Sequence, residues 1–319
     1  MLYIITKPTF ISLEMLKPLA DNPDIRIVIF EKNKLHLCDN IRKFLRAYCI
    51  GKTGLWLDRF YGQTFLTDLS GIREEDKVLL FSIKNLKDLR IFSKELKAAE
   101  KSIYFWDPLS WIKKGRVQRC IYRYHLRRMG MPVYTFDIMD AREYHFIYAG
   151  QIFHYPLETR RTDTKYDIFF IGRDRHRAQT ISDLCQLFQQ ASLSLDIHIL
   201  KDKHSETLDS LKPYYTAAYM PYVEVVNHIR SAKCLLEIVQ DGQSGATLRT
   251  MEALFFQKKL ITNNPYIQEY PFYSPDNILI LQENTTSHDI AGFMAREYLP
   301  VDPEIVQSYH IKQWIKQFQ

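Results

Sequence analysis

Short apolar runs punctuate the chain. LYIIT (2–6), IRIVIF (25–30), KVLLFSI (77–83), SIYFW (102–106) and PVYTF (132–136) are rich in β-branched and aromatic residues. Each predicts a strand, and their unbroken apolar character predicts burial on both faces, as in a parallel sheet covered by helices. Between them the spacing turns helical: Leu86, Leu89, Phe92 and Leu96 recur at three- and four-residue steps within NLKDLRIFSKELKAAE (85–100). A second series begins near Tyr166. YDIFFIG (166–172), LDIHIL (195–200), KCLLEIV (233–239), KLIT (259–262) and NILIL (277–281) read as strands. They alternate with helical patterns at roughly 178–191, 222–231, 246–257 and 287–297.

The polar, charged stretch YPLETRRTDTK (155–165) separates the two series and marks a domain boundary. The last segment, PEIVQSYHIKQWIKQF (303–318), carries an apolar stripe of Ile305, Tyr309, Trp314 and Phe318 and predicts a final helix. The expected class is therefore α/β: two Rossmann-like domains facing across a cleft, residues 1–155 and 156–300, with residues 301–319 forming a C-terminal helix that packs back toward the first. Open α/β sheets bind ligands beyond the carboxyl ends of their strands, so chemistry is expected in that cleft.

Composition narrows the classes without choosing one. The chain has 319 residues, 46% hydrophobic and 25% charged, which is ordinary for a globular protein of about two domains. A formal charge of +6 and a pI near 8.9 favour an anionic partner. Cys38, Cys49, Cys120, Cys185 and Cys234 are scattered and odd in number, with no CxxC pair, against a disulfide framework and against a zinc site and in favour of a reducing cytoplasm. The start, MLYIITKPTF, lacks a basic segment followed by a long apolar core and reads as a strand, not a signal peptide. No run of about 18 apolar residues predicts a membrane span.

One segment concentrates candidate chemistry: EIVQDGQSGATLRTMEALFFQKKLITNN (237–264), a strand, a polar loop, a helix and a strand. Gly242 and Gly245 permit a tight turn and close backbone approach, and Ser244 is placed to cap the following helix. Amides at a helix start favour phosphate. Ala246 to Glu252 spans roughly 9 Å at helical rise. A diphosphate at the helix start and a ribose held by Glu252 would fit that length. A plainer reading stands beside it: glycine loops are common in α/β folds, and Glu252 could flank the stripe Leu248, Met251, Phe255 or pair with Arg249.

GQSGATLRTMEALFFQKKLITNN (242–264) resembles the C-terminal nucleotide-sugar segment of bacterial GT-B glycosyltransferases, in particular the group-1-like, CgeB-like branch with its R-x-x-E-A helix. YDIFFIGRDRHR (166–177) is similar to the first strand of that domain with its basic loop, and YVEVVNHIRSAKCLLEI (222–238) to the helix and strand before the donor loop. VYTFDIMDAREYHFIY (133–148) is similar to a segment of bacterial polysaccharide glycosyltransferases. The resemblance implies a nucleotide-diphosphate-sugar donor in the second domain and a glycan or lipid-linked acceptor in the first, in surface polysaccharide or lipopolysaccharide assembly. It implies Glu252 on the ribose, the loop Gly242, Gln243, Ser244, Gly245, Ala246 and Thr247 on the diphosphate, and Gly172, Arg173, Arg175, Arg177 or Arg249 near the phosphate charge. The retaining branch carries a second glutamate eight residues before the ribose-binding one; Ser244 stands there, so no stereochemistry follows.

No D-x-D triplet occurs, so no metal and no cofactor are expected, with arginines and helix amides stabilising the leaving diphosphate. An inverting reaction needs a base at a strand end of the first domain, where Asp107 and Asp137 stand; either could instead start a turn or cap a helix. WIKKGRVQRCIYRYHLRRMGM (111–131) holds Lys113, Lys114, Arg116, Arg119, Arg123, Arg127 and Arg128 without an acid. Arg116, Arg119, Arg123 and Arg127 share one helical face, and Val117 and Ile121 lie nearer another. With IRKFLRAYCIGKTGLWLDRFYG (41–62) this fits peripheral docking on the anionic inner face of the cytoplasmic membrane, an anionic glycan, or a solvated helix surface. No nucleic-acid-binding motif accompanies the charge, and no nucleic-acid partner is expected. Two alternatives remain open: a sugar-nucleotide epimerase or polyol-phosphate transferase on the same scaffold, and a non-enzymatic α/β protein binding anionic polymer or membrane.

Overall fold

The structure is a computed structural model that describes residues 1–33, 40, 43, 44, 47, 57–158, 163–201 and 207–319. Most of the basic-aromatic run 41–62, with Cys38 and Cys49, lies outside the described residues. The chain forms two compact units. Unit 1 comprises Met1–His154, Asp241–Gly245 and Tyr309–Gln319; unit 2 comprises Tyr155–Gln240 and Ala246–Ser308.

Unit 1 is built on a six-stranded parallel sheet: β1 (Leu2–Thr6), β2 (Ile25–Ile29), β3 (Lys77–Phe81), β4 (Glu100–Phe105), β5 (Val133–Thr135) and β6 (Ile147–Tyr148). Their order is β2-β1-β3-β4-β5-β6, so the direction of winding reverses between β1 and β3. The runs that lack polar positions are buried on both faces: every residue of β1 is buried, as are Val78 to Phe81 of β3. Helices Leu86–Glu95 and Arg116–Arg127 contribute Leu89, Phe92, Tyr122 and Leu126 to this core, where Phe30, Tyr61, Phe65 and Phe92 form a ring cluster. Asn85 caps the first of these helices by accepting from the amides of Lys87 and Asp88.

Unit 2 repeats the plan: β7 (Tyr166–Arg173), β8 (Leu195–Leu200), β9 (Tyr215–Thr216), β10 (Ala232–Glu237), β11 (Lys259–Thr262) and β12 (Ile278–Ile280), again all parallel. The order β12-β11-β10-β7-β8-β9 is the Rossmann order, reversing between β7 and β10. Helices Ala178–Gln190, Tyr222–Ser231 and Leu248–Phe255 lie between the strands in sequence, and Ser287–Ala295 follows β12. The expected α/β class with two Rossmann-like domains is what the chain forms.

Three local expectations change. Strands β6 and β9 are two residues long and were not foreseen, because a periodicity needs more positions to show. The final helix is broken into Pro303–Ser308, Ile311–Trp314 and a 3-10 turn Ile315–Phe318. At the break the backbone pairs with Phe153, whose amide donates to Tyr309 O and whose carbonyl accepts from Ile311 N, and His310 caps the next turn. The Trp314 ring meets Tyr104 at 4.8 Å and its indole donates to Ala149 O at 2.6 Å. Those partners place the last eleven residues in unit 1. Finally, Asp241–Gly245, read from sequence as part of the second domain, belongs to unit 1.

Candidate functional site

In unit 2 the reversal between β7 and β10 is where an open sheet of this order takes a ligand. The loop leaving β7 there is Arg173 to Arg177. Asp174 is fully buried and accepts from the Tyr215 hydroxyl at 2.9 Å; burial and this carboxylate push that phenol up to about 12. Arg175 and His176 both take left-handed backbone, with φ of 46° and 63°. Consecutive non-glycine residues in that region cost about 1–3 kcal/mol each and cluster at functional loops. Arg177 is committed to the fold: its guanidinium donates to the carbonyls of Asp174, Arg173 and Ile238, joining the ends of β7 and β10. A side chain on Gly172 would press on the Phe170 ring at 3.1 Å and on Arg177. Arg173 and Arg175 are the exposed basic residues of the loop.

Helix Leu248–Phe255 starts two residues later than expected and is capped by Thr247, not Ser244. Thr247 Oγ1 accepts from the amides of Arg249 and Thr250, and Thr250 Oγ1 accepts from Thr247 N in return, a capping box. The arrangement is held by Glu237, which the sequence reading did not single out. Buried at the end of β10, it accepts from the hydroxyls of Thr247, Thr250 and Thr262. Its signal was an acid closing an apolar strand with threonines downstream.

Glu252 is buried. It is 2% exposed, Oε1 accepts from the Tyr222 hydroxyl at 2.8 Å, and Oε2 pairs with Arg249 Nη1 at 2.6 Å. Burial raises its pKa against the opposing pull of Arg249 and Tyr222. Arg249 also lies over the Phe169 ring at 5.2 Å and donates to Ile171 O. The i,i+3 pairing weighed as the plainer reading is present: in unit 2 this acid and this arginine neutralise each other inside the core.

The loop amides expected to take phosphate are also engaged. In unit 1, Asp137 Oδ2 accepts from Ser244 N at 2.7 Å and Gly245 N at 2.8 Å, and Oδ1 accepts from Ser244 Oγ at 2.5 Å. In unit 2, Ala246 N donates to the Tyr270 hydroxyl. Both glycines have structural reasons. Gly242 has φ of 78°, and its Cβ would lie 2.7 Å from Ser110 Oγ, which bonds its carbonyl. A Cβ on Gly245 would sit 2.7 Å from the Phe136 ring. Gln243 is half-buried in the same loop.

Asp137, a candidate base in the sequence, anchors this loop. Besides the loop it caps helix Ile138–Tyr144, accepting from Asp140 N at 3.0 Å, so a fully buried carboxylate already accepts four hydrogen bonds. Asp140 beside it accepts from Leu109 N; burial and the Asp137 charge raise its carboxyl to about 7. Asp107 differs: it follows β4, is 27% exposed and pairs with Lys84. The carboxyl ends of β1 to β4 carry further lysines. Asp88, wholly buried, binds Lys32, Lys43 and the Tyr61 hydroxyl. Lys7 follows β1 at the winding reversal and has no salt bridge among the described residues. Burial, Lys32 and Lys84 hold its ammonium below the ordinary value.

Helix Arg116–Arg127 turns differently from expectation. Tyr122 and Leu126 face the core, Arg119 folds in to the Tyr144 hydroxyl and the carbonyls of Lys113 and Lys114, and Arg123 is half-buried. Lys113 lies over the Tyr122 ring. The outer face is apolar and basic together: Val117, Ile121 and Tyr124 are 72%, 52% and 54% exposed, beside Arg116, Arg127 and Lys114.

No protein-family model matches this sequence, and no curated protein matches it. Among solved structures the chain is similar to an α,α-trehalose-phosphate synthase (UDP-forming) from Burkholderia vietnamiensis, with a TM-score of 0.59 and 9% identity over 99% of this chain and 98% of that one. That likeness and the two parallel six-stranded sheets define the fold class as GT-B, two Rossmann-like domains in one chain. Looser alignments join it to the spinosyn forosaminyltransferase SpnP, 14% identical over 100% and 95% of the chains at a TM-score of 0.44. The glycotransferase of kitacinnamycin aligns at 12% identity over 99% and 94%, with a TM-score of 0.43. Among the described residues no helix is long and apolar enough to cross a membrane.

Proposed function

We propose that the protein is a glycosyltransferase that moves a sugar from a nucleotide-diphosphate-sugar to a glycan or lipid-linked acceptor, in bacterial surface polysaccharide or lipopolysaccharide assembly. The observation that carries this reading is the overlap with a UDP-forming synthase along nearly the whole of both chains. The donor diphosphate binds at the winding reversal of unit 2, where Arg173 and Arg175 sit on a loop of left-handed backbone. Their guanidinium groups stabilise the negative charge that develops on the leaving diphosphate. The Arg249–Glu252 pair shapes this end of the unit from inside.

The acceptor binds in unit 1, at the carboxyl ends of β1 to β4. Asp107 keeps an open face there and is the carboxylate suited to take the acceptor proton; Asp137 is not. Lys7, Lys32 and Lys84 favour an acceptor carrying negative charge near its reacting hydroxyl. The outer face of helix Arg116–Arg127 docks on an anionic membrane surface, Val117, Ile121 and Tyr124 entering the interface and the arginines meeting headgroups.

A thermal-shift panel of UDP, GDP, ADP and CMP tests the donor assignment. At about 100 times Kd the right nucleotide adds about 2.7 kcal/mol to stability. Arg173→Ala should shrink that shift while leaving the nucleotide-free melting temperature unchanged. A panel in which no nucleotide moves the melting temperature, with no donor turnover, refutes the proposal.

A further inference from the structure

Unit 2 carries a second cluster of chemical groups that the transfer reaction does not use. Asp196 and His198 stand two residues apart on β8, so both side chains leave the same face of the sheet. Helix Tyr222–Ser231 lays His228 against them. Asp196 Oδ1 meets His198 Nε2 at 2.8 Å, and Oδ2 meets His228 Nδ1 at 2.6 Å. One ligand atom from each of the three residues falls within 4.8 Å of the others. The rings are positioned: His228 stacks on Phe169 with centroids 5.5 Å apart and planes at 16°, and His198 packs edge-on against His228 at 4.9 Å. Asp196 is buried, whereas the two imidazoles stay 26% and 31% exposed, so the donors converge from a desolvated floor toward water.

We propose that Asp196, His198 and His228 bind a transition-metal dication of the Zn²⁺ class, which clamps β8 to helix Tyr222–Ser231. Two imidazoles and one carboxylate suit Zn²⁺ and its neighbours; Mg²⁺ and Ca²⁺ prefer all-oxygen sets. The metal takes the place of the protons now shared between the carboxylate and the two rings, and the outer nitrogen of each ring carries the remaining proton. Bonds of about 2.0–2.2 Å to a tetrahedral ion set its donors about 3.3 Å apart, so the two carboxylate–imidazole pairs open by about 0.5–0.7 Å. A water on the exposed side completes four-coordination. The clamped helix also carries Tyr222, the hydroxyl bound to Glu252, so loading steadies that buried pair as well. This site is independent of the transferase assignment.

Co²⁺ titration of the untagged, EDTA-stripped protein tests it. The expected result is one Co²⁺ per chain with the visible absorption of a tetrahedral site, displaced by Zn²⁺, and a melting temperature raised by either metal. His228→Ala and, separately, His198→Asn should weaken Co²⁺ binding at least about 10–100-fold, the loss that even outer-sphere changes cause. Circular dichroism in EDTA reports whether each variant folds, and the partly exposed His198 keeps the test usable if His228→Ala does not. Absence of saturable Co²⁺ binding, or binding unchanged in a folded His198→Asn variant, overturns the proposal.

Discussion

Replacing Asp137 by alanine distinguishes a catalytic carboxylate from a structural one. In the parent this side chain caps helix Ile138–Tyr144 and accepts from two buried amides, Ser244 N and Gly245 N, and from Ser244 Oγ. Losing an N-cap costs about 1 kcal/mol. Each buried amide left without an acceptor costs about 1–3 kcal/mol. Relaxation of the loop toward water recovers part of this, so the expected loss is about 3–5 kcal/mol, or roughly 10 °C in melting temperature for a domain of this size. The measurement is best made at pH 5, where Asp140, raised to about 7, is protonated in the parent and the Asp137 charge no longer acts on it. Asp137→Asn keeps one carbonyl oxygen but turns an amide toward a donor, and should lose about half as much. Amide exchange should accelerate over residues 241–245 in both variants. An Asp137→Ala variant that melts like the parent, protects those amides equally and yet loses turnover would refute the structural role.

Three further outcomes follow from buried or exposed groups. Asp140→Asn mimics the protonated carboxyl: the native value of about 7 lies above the ordinary 3.8, so the parent loses stability as pH rises from about 4 to 7. The variant should match the parent at pH 4 and exceed it at pH 8 by up to about 4 kcal/mol, read from urea melts; equal pH profiles would refute the assignment. Glu252→Ala leaves the Arg249 guanidinium buried without its partner, so unfolding free energy should fall by about 3–5 kcal/mol, with Glu252→Gln losing less. A stable Glu252→Ala protein that lost only nucleotide affinity would restore the ribose-binding role. Val117→Asp with Ile121→Asp should abolish cosedimentation with phosphatidylglycerol vesicles without changing the melting temperature. Unchanged cosedimentation would remove the membrane-facing role.

The sheets were legible because their strands are buried on both faces. LYIIT and LDIHIL coincide with β1 and β8, and KLIT with β11, since β-branched and aliphatic residues dominate each run even where Asp196, His198 or Lys259 interrupts it. The helix over 222–231 was equally plain, with Tyr222, Val225, Val226 and Ile229 on its buried face. What local pattern could not supply was the partner of an element. The stripe Ile305, Tyr309, Trp314 and Phe318 looks continuous as a helix, yet Tyr309 and Ile311 exchange backbone hydrogen bonds with Phe153, more than 150 positions earlier. Pairing across that separation outweighs one helical turn, and no window of neighbouring residues contains it.

The partners of the candidate site residues were hidden for the same reason, with charge in place of backbone. A carboxylate on a helix facing apolar neighbours looks the same in sequence whether it awaits a ribose or already holds an arginine. Glu252 and Arg249 are three residues apart, so their pairing was foreseeable; what decided it was burial, which makes an unpaired charge too costly to leave waiting. Asp137 and Ser244 are separated by more than 100 positions, and only the fold brings that carboxylate onto the loop amides. An anion does sit on those amides, as the glycine loop led one to expect, but it is the protein's own. The phosphate-binding role proposed above rests instead on Arg173 and Arg175, exposed on a loop of left-handed backbone in unit 2.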